Sequence, residues 1–135
     1  MGKTEYKEKK AESLELSVDN SEFGEVKISS EVIATIAVHA AMEVDGVVGT
    51  VGGIKNDLIS RLGVKNEGKG VRVVFVNDKL EITILVNVAY GKKIPEISKE
   101  TQTKIKEKIE YMTGLEVNKV NVRVAGVTYT DSVSE

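Results

Sequence analysis

The stretch "VRVVFVNDKLEITILVNVAY" at residues 71–90 constrains the fold of this chain more than any other. Its second half alternates without a break. Leu80, Ile82, Ile84, Val86, Val88 and Tyr90 face one way, and Glu81, Thr83 and Asn87 face the other. A period of two over that length describes a strand with one covered and one more polar side. Asn77-Asp78-Lys79 are turn residues between two strand-like runs, so the stretch reads as a hairpin. A strand that apolar on one side needs a layer to cover it.

Two helical patterns supply the layer. Val32, Ile33, Ile36, Ala37, Ala40, Ala41 and Val44 recur at helical spacing, and Gly46 stops the run. Ser29 or Ser30 can cap that helix, and Glu31 in its first turn suits the helix dipole. Its alanines allow a sheet to approach closely. The only proline, Pro95, suits the first position of a second helix that closes at Gly114. That helix has a thin stripe of Ile97, Ile105, Ile109 and Met112, with Thr101 in the gap.

Shorter pieces complete the plan. "GEVKIS" at 24–29 reads as a strand, and "EVNKVNVRVAGV" as a last strand with Val120, Val122 and Val124 inward. "IKNDLISRL" sets Ile54, Leu58, Ile59 and Leu62 on one side of two helical turns ended by Gly63. The expected fold is α+β, a two-layer sandwich. Two main helices pack on one face of a three- to four-stranded mixed sheet, with a short extra helix.

The length of 135 residues suits one domain, and 41% hydrophobic residues suffice for an aliphatic core without tryptophan. Residues 1–22 carry many charges and few large apolar groups, so they read as a disordered tail. The domain is expected over 23–129, with a polar tail at 130–135. The most apolar stretch, residues 32–42, is about half of the ~20 residues that a membrane-spanning helix needs. Nineteen basic and 21 acidic residues are interleaved, so no global field favours nucleic acid or anionic lipid.

Catalytic chemistry has little to work with. The chain has no cysteine and one histidine, His39, which removes thiolate zinc sites, cysteine nucleophiles and histidine-based triads. His39 falls at the edge of the first helical stripe. Asp45, Asp57 and Asp78 lie beside turn residues, where aspartate makes local hydrogen bonds. No catalytic residue, metal or cofactor is expected, and the chain does not read as an enzyme.

The segment "EVDGVVGTVGG" at 43–53 contains Gly46, Gly49, Gly52 and Gly53. A dinucleotide loop needs a different spacing and a preceding strand, and a Walker loop needs a Gly-Lys-Ser or Gly-Lys-Thr ending that is missing here. Two overlapping G-x-x-G units leave a KH-like RNA clamp as the alternative. The valines between the glycines favour a structural role: Gly46 ends a helix, "VVGTV" runs extended, and Gly52-Gly53 turns the chain. Candidate partner-binding residues are Ile54, Leu58, Arg61 and Leu62 on the short helix. Tyr90, Lys92 and Lys93 after the long strand form a second candidate group.

In order, "GEVKISSEVIATIA", "EVDGVVGTVGG", "GKGVRV", "NVAYGKKIPEIS" and "IEYMTGLEVNKVNVRVAGV" make the chain resemble the alkaline shock protein family of Gram-positive bacteria. These are general-stress or envelope-stress proteins, and the resemblance covers about residues 23–128. It implies a small, cytoplasmic, non-enzymatic protein that forms homo-oligomers. It also implies accumulation at the inner face of the membrane through a membrane-anchored protein partner, with a role in cell-envelope homeostasis under stress. Some relatives are linked by genetic context to fatty-acid metabolism. The resemblance brings no catalytic residues, and its recurring positions Gly46, Gly114 and Val120 to Val124 look structural.

Overall fold

A computed structural model describes residues 15–51 and 70–129. The elements run β1 (Glu15–Ser21), β2 (Gly24–Ser29), α1 (Ser30–Met42), β3 (Val47–Thr50), β4 (Val71–Val76), β5 (Lys79–Ala89), α2 (Ile94–Thr113) and β6 (Val117–Thr128). The fold is α+β, with two helices among the described residues and a four-stranded mixed sheet. The proposed short helix at 54–63, with Ile54, Leu58, Arg61 and Leu62, lies outside the described residues. So do Gly52, Gly53 and the tail at 130–135.

β5 organises the sheet. Its inward side is Leu80, Ile82, Ile84, Val86 and Val88, every one fully buried. Asn77 and Asp78 both take positive φ, 53° and 68°, which makes the tight turn from β4 into β5. On one side of β5, β4 pairs antiparallel with its first half and β3 antiparallel with its second half. On the other side β6 runs parallel along nearly all of it. The parallel pairing requires a crossover, and α2 is that crossover.

β3 and β4 meet end to end at Leu85. Val51 N–H donates to Leu85 O at 3.1 Å, and Leu85 N–H donates to Gly70 O at 2.9 Å. Val51 and Gly70 therefore bond the same residue of β5. A Cβ on Gly70 would run into Val51 O, and its φ is +81°, so only glycine fits this junction.

The core lies between this sheet and the two helices. α1 contributes Ile33, Ala34, Ile36, Ala37, Val38, Ala40 and Ala41, and its small side chains let the helix sit close to the strands. α2 contributes Ile97, Thr101, Ile105 and Ile109, and Thr101 Oγ1 donates to Ile97 O at 2.7 Å, which satisfies the one hydroxyl on that stripe. Pro95 is the second residue of α2, and Gly114 closes it with φ 76°.

Several expectations need correction. β1 lies within the stretch read as a disordered tail: residues 15–21 pair antiparallel with β2, and Leu16 is buried against the core. The domain therefore begins before residue 23. Its local composition is acidic, but pairing with β2 satisfies its backbone and the single leucine anchors it. Val32 is 43% exposed and Met112 is 60% exposed, whereas Val38, off the expected stripe, is fully buried. α1 is covered on more than one side by β2, β3, β4 and α2, so its buried arc is wider than one stripe and shifted away from Val32. Ser29 occupies the N-cap position without a side-chain cap bond, and Ser30 is buried.

Candidate interaction surface

The glycines of residues 46–49 are structural. α1 ends at Met42 with Glu43 as its C-cap, three residues earlier than the expected stop. Gly46 instead takes φ +105° in the turn into β3, and a Cβ there would lie 2.5 Å from Ile97 Cδ1. The missing side chain lets the first turn of α2 pack against that turn. Gly49 sits within β3, opposite Asn87 of β5. A clamp loop needs free backbone around both glycines, and here the second is part of a paired strand. The first G-x-x-G unit is thus not a KH-like loop.

Tyr90, Lys92 and Lys93 come together at the end of β5, but not as the alternation suggested. β5 ends at Ala89 and Gly91 turns with φ +94°, so Tyr90 leaves the buried side and is 68% exposed. Its N–H donates to Thr128 O at 2.8 Å, and its ring meets that of Tyr129 edge-on at 5.6 Å. Lys92 Nζ lies 3.5 Å from Asp45 Oδ2, tying the β5–α2 turn to the α1–β3 turn. Both groups are largely exposed, so the pair adds little stability. Lys93 is the N-cap of α2.

The outer edge of β6 was not singled out from sequence. Among the described residues β6 pairs only with β5, which leaves its other side as a sheet edge. Side chains of α2 guard the start of that edge. Glu110 Oε2 accepts Val117 N–H at 2.9 Å, Lys106 Nζ donates to Val117 O at 3.0 Å, and Gln102 Nε2 donates to Val120 O at 2.9 Å. The hydrogen bonds from Lys106 and from Val117 N–H, in that order, hold the Glu110 carboxyl below its ordinary range. Because backbone groups alternate along a strand, Val122 and Val124 present theirs on the same side as Val120. No described strand covers them.

His39 is exposed, and its neighbour Glu43 pairs instead with Lys108 at 3.8 Å. No helix among the described residues is long and apolar enough to cross a membrane. The surface offers edges and exposed aromatics, which are contact features.

Residues 18–129 match the profile of the alkaline shock protein 23 family, described as having a cell envelope-related function. The Bacillus subtilis protein YqhY is 33% identical over 90% of this chain and 90% of its own length. A Streptococcus pyogenes stress response regulator gls24 homolog is 28% identical over 77% of this chain and 59% of its own. Among solved structures, MamM CTD covers 71% of this chain at 14% identity with a TM-score of 0.44, a distant likeness from which nothing follows. With the family profile spanning all but the first three residues of the described fold, this chain belongs to the alkaline shock protein family, a cell envelope-related family.

Proposed function

We propose that this chain is a non-enzymatic adaptor in the cell-envelope stress response, which self-associates and is held at the inner face of the membrane by a membrane-anchored partner. The family's envelope-related description and the stress-regulator relatives support the setting. The observation that carries self-association is the edge of β6 from Val122 onward, which no described strand covers. An unpaired edge of this kind is a template for another strand.

A second copy is the occupant that fits. Two β6 edges related by a two-fold axis pair antiparallel with themselves. Within the regular stretch 120–124, a pair centred on Val122 sets Val120 opposite Val124 and Asn121 opposite Arg123. Centring on Asn121 would oppose Lys119 to Arg123, and centring on Arg123 would oppose two guanidinium groups. Like charges directly opposite are unfavourable, so charge selects the Val122 register.

Cell fractionation tests the membrane part. Tagged chain should sediment with membranes through nuclease treatment and be released when exposed membrane proteins are digested. Recovery only in the soluble fraction, or release by nuclease, would contradict the reading.

A further inference from the structure

The side of the sheet opposite the helices carries a second feature. Arg72 of β4 lies opposite Thr83, and Arg123 of β6 lies opposite Leu85. Thr83 and Leu85 are two apart on β5, so they share a face, the one away from Ile82 and Ile84. A cleft of about 290 Å³ opens there, lined by Gly70, Val71, Arg72, Thr83, Leu85 and Arg123. The chain has only three arginines, Arg61, Arg72 and Arg123, and two of them line this cleft.

Its chemistry is that of an oxyanion site. Arg72 and Arg123 stand two strand spacings apart across the sheet and two residues apart along it, roughly 12 Å between backbones, a gap that two long side chains can span. Thr83 Oγ1 accepts a hydrogen bond from Asn121 Nδ2 at 3.2 Å, so its own proton remains to be donated. Arg123 makes no ion pair among the described residues. The nearest carboxylate on this face of β5, Glu81, accepts from Asn118 Nδ2 at 3.5 Å. Arginines anchored on the strands at either side and a hydroxyl on the strand between them suit a tetrahedral phosphate better than a planar carboxylate, which one guanidinium fork satisfies. Leu85 adds an apolar floor, and among the described residues no aromatic side chain lines the cleft for a base to stack on.

We propose that this cleft binds a small phosphomonoester, with the phosphate between Arg72 and Arg123, hydrogen-bonded to Thr83, and an apolar body over Leu85.

The test is an NMR titration of the full chain with inorganic phosphate, with phenyl phosphate, and with vesicles containing phosphatidic acid. Both soluble anions should give saturable shifts centred on Arg72, Thr83, Leu85 and Arg123, with phenyl phosphate the tighter. Arg123→Gln should weaken both by about tenfold with no loss of thermal stability, as expected for one charged hydrogen-bond donor. Thr83→Val should weaken phosphate by a smaller factor. Shifts spread over surface lysines, or binding unchanged in Arg123→Gln, would overturn the proposal. Binding of vesicles without binding of soluble phosphates would overturn it too, because the site would then be a lipid-surface contact.

Discussion

The Glu110 carboxylate accepts the backbone N–H of Val117 at 2.9 Å, while Lys106 holds that same carboxylate at 2.7 Å and the Val117 carbonyl at 3.0 Å. The last turns of α2 thus satisfy both outward backbone groups of the first residue of β6. This clamp fixes where β6 starts, and so the register in which it meets β5.

Because the folded pKa of Glu110 lies below its ordinary value of 4.5, its ionised form stabilises the fold. That stability is present above the unfolded pKa and is lost as pH falls through the folded one. The group is about one-third exposed (34%), so solvent screening limits the effect. Glu110→Gln should cost about 0.5–1 kcal/mol at neutral pH. Urea denaturation of both proteins should show the difference vanish at acid pH. An equal gap at both pH values would show that the carboxylate charge is not its source.

Gly46 and Gly114 both take positive φ, 105° and 76°, but only Gly46 is crowded, with Ile97 in the space of its missing side chain. Alanine at Gly114 should cost about 1–2 kcal/mol, the strain of the left-handed backbone alone. At Gly46 the clash with α2 adds to that strain, and the cost should reach about 2–4 kcal/mol. Thermal denaturation of the two variants decides it. Equal losses would mean that Gly46 serves only to turn the chain.

Thr50 is fully buried on the helix-facing side of β3, and its hydroxyl has no hydrogen-bond partner among the described residues. Thr50→Val keeps the shape and removes the unsatisfied group, so it should raise stability by about 1 kcal/mol. A loss of stability on calorimetry would indicate that the hydroxyl is satisfied in solution.

What could be read from sequence was what is locally encoded. β5 carries its own period, the β4–β5 turn carries Asn77-Asp78, and α2 is bracketed by Pro95 and Gly114. Where local pattern and surroundings diverge, the surroundings decide. Tyr90 continues the alternation in sequence, but Gly91 turns the chain and puts the ring in solvent beside Tyr129. Met112 continues the α2 stripe, yet it is exposed at the last turn of the helix. β1 exists because β2 is there to pair with it, which its own acidic sequence does not announce. Arg72 and Arg123 are far apart in the chain, and only the pairing of β4 and β6 with β5 brings them to one cleft. The outer edge of β6 is likewise a property of strand order.

Pairing through β6 is tested most directly by sedimentation velocity of the full chain beside two variants at Asn121, the residue set opposite Arg123 in the paired edges. The unmodified chain should self-associate, Asn121→Lys should dissociate it at the same concentration, and Asn121→Asp should leave it associated. A chain that is monomeric throughout, or an assembly indifferent to the sign of the charge at position 121, would contradict pairing through β6.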